Sequence, residues 1–204
     1  MKNLNIAIVS PNIFKQTTKN FKEVSPCPLY TLLDGIASKE NKYTMGGNTC
    51  SIIAMNNGKS TYLGHFAPEF RELSFKQKLD NIIRKFKAQT GELSAIVTGG
   101  YDYKVPANNK EAIKSFEQIA EIGRIFDENN AHLTMIACKT NPIFTDNLAV
   151  TNDEFILSHS PKTGGNIPTR KLTSNTSTEE LEDLLNNEYS IVEIDPLHTI
   201  IFGG

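Results

Sequence analysis

The spacing of hydrophobic and polar residues predicts a chain of short strands interrupted by two long helices. Short apolar runs bounded by Gly, Pro, Asn or Ser are typical of strands. They cover residues 4–9, 50–55, 60–66, 93–98, 132–138, 189–194 and 199–202, and residues 143–157 hold one or two more. Asn57-Gly58, which separates the second run from the third, is a strong signal for a hairpin turn.

Two segments show helical spacing. In residues 74–90, Ser74 occupies an N-cap position and Gly91 ends the pattern. The residues on the apolar face of this helix are Phe75, Leu79, Ile82, Ile83 and Phe86. Residues 110–127 predict a second helix, whose inward residues are Ile113, Phe116, Ile119, Ala120 and Phe126.

The rest of the chain is richer in polar and turn-forming residues. Residues 12–42 predict mostly irregular structure with a short helix around residues 32–37, and residues 158–176 predict a long loop. Ser177 begins a capping box that predicts another short helix. Because no internal repeat or linker is evident, we expect a single α+β domain over residues 1–204. Its mixed β-sheets form a sandwich-like arrangement flanked by two main helices.

Composition narrows the function classes. The 21 Lys and Arg residues nearly balance the 23 Asp and Glu residues, for a formal net charge of −2, and this balance gives no support for a nucleic-acid partner. No apolar run approaches the ~18 residues of a membrane-spanning helix. The longest apolar run near the N-terminus, residues 6–9, is too short for a signal-peptide core. We therefore expect no membrane insertion and no Sec export.

The cysteines and histidines do not show metal-site or disulfide spacing. The cysteines are Cys27, Cys50 and Cys138, and the histidines are His65, His132, His159 and His198. No Cys-x-x-Cys pair occurs, and an odd cysteine count without a signal peptide argues against a disulfide framework. We expect no metal, so the roles left for cysteine are core packing and nucleophilic chemistry.

A two-residue Asn57-Gly58 turn fixes the partner of each hairpin residue. Counting outward from the turn pairs Cys50 with His65 on one face of the hairpin, with Cβ atoms about 4.5–5.5 Å apart. An adjacent imidazole can take the proton of a thiol, so the pattern predicts a nucleophilic cysteine with its base. A buried cysteine is more often only a small apolar residue, and a single β-bulge would move the pair apart.

The residues before Cys50 suggest how such a site is completed. Gly46 and Gly47 let the backbone bend so that amide N–H groups face an oxyanion. Thr44 could hold the second ring nitrogen of His65 through its hydroxyl or carbonyl oxygen, and Asn48 competes for that role.

Two stretches, Thr-Met-Gly-Gly-Asn-Thr-Cys-Ser-Ile-Ile-Ala at 44–54 and Leu-Gly-His-Phe-Ala-Pro-Glu at 63–69, resemble the active-site region of the chemoreceptor glutamine deamidase CheD. That family also has a Thr six residues before its Cys, then an apolar strand and a His-Phe segment. The same Cys–His arrangement occurs in the deamidase toxins, the cytotoxic necrotizing factors and Burkholderia lethal factor. The resemblance covers residues 44–138, so residues 1–43 are an N-terminal extension.

The chain departs from these families in ways that affect the substrate more than the chemistry. Thr49 precedes the cysteine where the toxins have Gly and the chemotaxis enzymes have Ser, and Pro68 follows the histidine sooner than in CheD. The N-terminal extension and a C-terminal segment have no counterpart. These departures favour a dedicated effector or toxin with a role in virulence. It would be made in the bacterial cytoplasm without a Sec signal and secreted into a host cell.

The resemblance implies a hydrolase that converts a protein glutamine side chain to glutamate. Cys50 would be the nucleophile, His65 its base and Thr44 the support of His65, while Gly46, Gly47, Asn48 and Thr49 would line the oxyanion and substrate position. No cofactor is implied, the partner is a protein substrate, and we expect a monomer. Three alternatives stay open: a chemoreceptor deamidase, a cysteine protease or acyl-transfer enzyme on the same dyad, and a non-catalytic binding module that keeps the fold.

Overall fold

The computed structural model describes residues 5–25, 38–47, 50–66, 73–99, 110–138, 145–160, 170–173, 189–195 and 198–203. These ranges contain twelve strands and three helices. The helices are α1 (Pro11–Thr18), α2 (Leu73–Thr90) and α3 (Lys110–Glu128). The strands are β1 (Asn5–Ile8), β2 (Lys22–Glu23), β3 (Lys42–Gly47), β4 (Ser51–Asn56), β5 (Thr61–Phe66), β6 (Ser94–Gly99), β7 (Leu133–Cys138), β8 (Thr145–Val150), β9 (Phe155–Ser160), β10 (Arg170–Thr173), β11 (Tyr189–Asp195) and β12 (His198–Gly203).

The strands form two six-stranded sheets. Sheet 1 has the order β10-β1-β9-β8-β3-β2, and sheet 2 has the order β11-β12-β7-β6-β4-β5. Each sheet mixes parallel and antiparallel pairs: β1 is parallel to β9 but antiparallel to β10, and β6 is parallel to β7 but antiparallel to β4. The predicted α+β class with mixed sheets in a single domain is therefore confirmed.

The two sheets pack face to face around a buried apolar cluster. Sheet 1 contributes Ile6, Ile8, Leu148, Val150, Phe155 and Leu157, and sheet 2 contributes Ile52, Ala54, Leu63 and Ile96. Because side chains alternate along a strand, the intervening residues point to the outer faces of the sandwich. Among the described helices, α1 packs on the outer face of sheet 1, and α2 and α3 pack on that of sheet 2.

Helices α2 and α3 cover the outer face of sheet 2. All five residues predicted on the apolar face of α2 are buried, and they pack with Ile53, Met55, Tyr62 and Val97 of the sheet. The helix begins at Leu73, one residue before the predicted N-cap Ser74, and Gly91 ends it with a φ of +76°. In α3, Ile122, Ile125 and Phe126 are buried, whereas Ala120, predicted to point inward, is exposed. None of the helices in the described part of the chain is long and apolar enough to cross a membrane.

Helix α1 lies in the segment that the sequence predicts as mostly irregular, so that prediction is wrong for these residues. Ser10 caps the helix by accepting a hydrogen bond from the Ile13 N–H, and Pro11 occupies the first turn. Its Phe14 is fully buried against the outer face of sheet 1. One large apolar residue with a good cap is enough to hold eight residues in a helix once a sheet face is available.

Two further predictions outside the hairpin change. The predicted long loop at 158–176 contains the end of β9 and all of β10, because β10 gains its hydrogen bonds from β1, more than 160 residues away. Strand β3 was not predicted, and its residues pair with β8 in the same long-range way. The short helices predicted around 32–37 and after Ser177 lie outside the described residues.

The loop between β4 and β5 is two residues longer than predicted. Asn56 pairs with Thr61, so Asn57 to Ser60 form a four-residue loop. The Asn57 side chain causes the difference, because its Oδ1 accepts hydrogen bonds from the Lys59 and Ser60 N–H groups. Its Nδ2 donates to Phe86 O and to Gln89 Oε1 of α2.

This shift corrects the predicted pairing of Cys50 with His65. His65 lies opposite Ile52 instead, and Cys50 precedes the strand by one residue. Because the shift is two residues, the pleat keeps the same face. Extending the alternation of β4 back from Ile52 places Cys50 as a diagonal neighbour of His65, a position about 7–8 Å away between Cα atoms.

The Asn57 side chain is therefore expected to hold the hairpin to α2. Asn57→Ala removes four hydrogen bonds around the loop, and we expect it to lower the free energy of unfolding by about 2 kcal/mol. Urea denaturation measures this, and Lys59→Ala at an exposed loop position serves as the matched control, expected within about 0.5 kcal/mol of wild type. Equal effects of the two substitutions would contradict the role of Asn57.

Candidate active site

Polar contacts between β3 and β5 align the two sheets of the sandwich. At the first residues of these strands, Lys42 Nζ lies 2.7 Å from Thr61 Oγ1 and 2.8 Å from Ser38 Oγ, with the carbonyl oxygens of Thr61 and Glu40 at 3.1 and 3.2 Å. Burial of this ammonium group lowers the pKa of Lys42 to about 8. The four oxygen contacts hold a charged group inside the protein, and they fix where β3 lies on β5.

Farther along the same two strands, Thr44 Oγ1 lies 2.8 Å from His65 Nδ1. Both residues are buried, with at most 1% of their surface exposed. The predicted contact between Thr44 and a ring nitrogen of His65 is therefore confirmed, through the hydroxyl group. It joins sheet 1 to sheet 2 across the apolar core.

Burial also sets the charge of His65. Desolvation lowers the pKa of His65 to about 4, so the imidazole is neutral at pH 7. If Nδ1–H donates to Thr44, the lone pair remains on Nε2, as a general base requires. Nε2 is buried and has no hydrogen-bond partner among the described residues.

Cys50 lies where β4 begins, as a half-buried thiol. No hydrogen bond joins its sulfur to His65 Nε2 in this structure. Catalytic hydrogen bonds are often long before substrate binds. By the alternation of β4, Cys50 takes the position diagonal to His65 across the hairpin. The nucleophile and base predicted from the sequence therefore share one end of the sandwich.

Glycine at position 64 shapes the strand beside the histidine. A Cβ atom on Gly64 would overlap the Phe66 ring and would lie 2.6 Å from the Tyr62 hydroxyl oxygen. The space is filled because Phe66 folds back over Gly64 and packs edge-on against Phe75 of α2, with ring centroids 5.5 Å apart. Phe66 thus fixes the end of β5 on the helix side while His65 faces the other sheet.

The glycines predicted to bend the backbone lie in a β-bulge. The pairing of β3 with β8 shifts between Thr44 and Gly47, and Gly46 has a φ of +79°. The Gly46 N–H donates to Asn147 Oδ1 at 3.1 Å, so this amide is occupied and is not an oxyanion donor here. Gly47 is buried at the end of β3, and the candidates Asn48 and Thr49 lie outside the described residues.

Three buried residues near this end were not predicted. Thr98 of β6 pairs with Ile52 of β4, and Ile52 pairs with His65 of β5 on its other side. Ser51 Oγ donates to Gln118 Oε1 of α3 at 2.6 Å. Asn147, the partner of Gly46, comes from β8. Thr98, Gln118 and Asn147 follow His65 by 33, 53 and 82 residues in sequence, so only the folded structure brings them together.

No metal centre accompanies the described site residues: within the described ranges, no three His, Cys, Asp or Glu side chains are grouped as a metal ion would require. Cys138, His159 and His198 occupy strand positions, and in the pairing of β8 with β9 His159 lies opposite Asp146.

Comparison of the chain with protein-family models and with curated proteins returns no match.

The depressed pKa of His65 predicts how stability depends on pH. The unfolded chain protonates this histidine near 6.5 and the folded protein only near 4. The stability that depends on neutral His65 is therefore complete above pH 6.5 and is lost as the pH falls towards 4. Denaturation of wild type and His65→Gln at each pH should show an extra loss in wild type of up to about 3 kcal/mol. Parallel pH curves would contradict the buried neutral state.

Proposed function

We propose that the protein is a protein-glutamine deamidase that uses Cys50 as nucleophile and His65 as general base. The observation that supports this best is the buried 2.8 Å contact of Thr44 Oγ1 with His65 Nδ1. It orients a neutral imidazole on one face of the hairpin. The alternation of β4 puts Cys50 on that same face. The similarity of residues 44–69 to the CheD active-site region gives the reaction type.

Acylation begins when His65 Nε2 takes the thiol proton and the Cys50 sulfur attacks the carboxamide carbon. The resulting oxyanion requires backbone N–H donors near Cys50 other than the Gly46 amide, which already binds Asn147. His65 then gives its proton to the amide nitrogen. The carbon–nitrogen bond breaks, ammonia leaves, and a thioester remains.

In deacylation, His65 moves a proton from water to the Cys50 sulfur. His65 Nε2 takes a proton from water as the water oxygen attacks the thioester carbon. The carbon–sulfur bond breaks, the glutamate carboxyl group is released, and His65 returns its proton to the sulfur. Because its pKa is lowered, His65 starts each half-reaction as a neutral imidazole that can accept a proton.

The substrate we propose is a glutamine on a protein of a host cell, which would make this chain an effector or toxin. The departures of residues 49 and 68 from the CheD pattern support this over a chemoreceptor substrate. A chemoreceptor deamidase remains the second enzymatic candidate on the same residues, and the two differ only in the protein that carries the glutamine.

The reactivity of Cys50 tests the dyad without a substrate. Alkylation by iodoacetamide, assigned to Cys50 by mass spectrometry, should persist in wild type well below the ordinary thiol pKa of about 8.5. The lower inflection of the rate should lie near the pKa of His65, about 4. His65→Ala should leave only the inflection near 8.5, because no base then assists the thiol.

Thr44→Val separates orientation from base strength in the same assay. It keeps the shape of the side chain but removes the hydroxyl that contacts Nδ1, and we expect the rate at pH 6 to fall by about tenfold or more. Ser158→Ala, which removes a buried hydroxyl without a partner among the described residues, is the control and should not change the profile. Identical profiles for wild type and His65→Ala would overturn the proposed dyad.

A further inference from the structure

Two buried carboxamide side chains hold the two ends of the connection that carries Cys50. The connection runs from β3 in sheet 1 to β4 in sheet 2. At its first end, Asn147 Oδ1 accepts from the Gly46 N–H at 3.1 Å. At its second end, Gln118 Oε1 accepts from Ser51 Oγ at 2.6 Å. The two carboxamides come from different elements, β8 and α3.

Both carboxamides are buried beside apolar clusters. Gln118 is 4% exposed, and its helix packs on the outer face of sheet 2 through Ile122, Ile125 and Phe126. Asn147 is 7% exposed and lies on β8 two residues from Ala149, which belongs to the apolar cluster under α1. An apolar residue of the same shape would avoid the desolvation cost of a buried amide. Packing alone therefore does not explain why these positions are polar.

The geometry of the bonded groups indicates what the carboxamides do. Gly46 has a positive φ in the bulge that follows Thr44, the residue that orients His65. Ser51 is the residue after Cys50, and it opens β4 opposite Phe66. The two bonds therefore anchor Gly46, two residues after Thr44, and Ser51, directly after Cys50.

We propose that Asn147 and Gln118 are positioning residues that set the distance between the Cys50 thiol and His65. Neither residue is part of the Cys50, His65 and Thr44 set, and neither takes part in bond making or breaking. This inference rests on the proposed function, since it assigns a purpose to the position of Cys50. It predicts that loss of either acceptor oxygen lowers the reactivity that depends on His65 and leaves the intrinsic reactivity of the thiolate unchanged.

The pH profile of Cys50 alkylation tests the inference. Asn147→Leu, Gln118→Met and Ser51→Ala each remove one partner with little change in shape. Each should lower the rate at pH 6 by about tenfold, because a displacement of about 1 Å is enough to disrupt such a contact. The rate above pH 9, where the free thiolate reacts, should stay equal to that of wild type. A variant that is only less stable would not separate the two pH ranges in this way.

Conservative variants keep the test decisive if an apolar replacement fails to fold. Asn147→Asp and Gln118→Glu retain the acceptor oxygen and should restore most of the rate at pH 6. Ser158→Ala is the control, because Ser158 lies opposite Asn147 in the β8–β9 pairing and its hydroxyl has no partner within the described ranges.

The outcomes separate this inference from the proposed function. The rate of Cys50 alkylation at pH 6 in wild type should include a part that is lost in His65→Ala. If the Asn147 and Gln118 variants keep this part, the positioning role is overturned and the dyad stands. If His65→Ala does not lower the alkylation rate at pH 6, the dyad and the positioning role fail together. A loss at pH 6 alone, restored by the Asp and Glu variants, supports both.

Discussion

Contact between β3 and β5 is the constraint on which the site depends. The two strands belong to different sheets, so nothing in either hydrogen-bonded ladder sets their relative position. The contact of Lys42 with Thr61 fixes the first residues of the two strands, and the contact of Thr44 with His65 fixes a second point farther along them. Both pairs are buried, so each must be satisfied by its partner, and this requirement leaves few alternative alignments of the sandwich.

Burial of the same contact determines the chemistry available to His65. A solvated histidine would be partly protonated at neutral pH, but desolvation between the sheets lowers the pKa of His65 to about 4. The imidazole of His65 is therefore neutral at pH 7 and able to accept a proton. In the proposed mechanism, proton transfer accompanies attack on the substrate carbonyl, and the rate then depends on the placement of Cys50 relative to His65.

Local patterns in the sequence account for much of the fold, because the apolar faces of α2, β4 and β5 are readable from spacing alone. They also indicate Thr44, with Asn48 as the competing residue, as the partner of His65, since these residues lie close to the cysteine in sequence. The patterns fail where distant contacts decide the structure. Strand β10 exists because β1 pairs with it, and the four-residue hairpin loop exists because Asn57 also bonds α2. Asn147 and Gln118 carry no local signal at all, since their partners Gly46 and Ser51 lie 101 and 67 residues away.

The most direct measurement is the change in mass of glutamine side chains in native host-cell proteins incubated with wild type or with Cys50→Ser. The proposed chemistry predicts conversion of specific glutamines to glutamates, with ammonia released in equal amount, only in the wild-type sample. New protein termini that depend on Cys50, without conversion of glutamine, would assign the site to peptide-bond cleavage. Identical protein masses in the two samples would contradict a deamidase acting on these proteins.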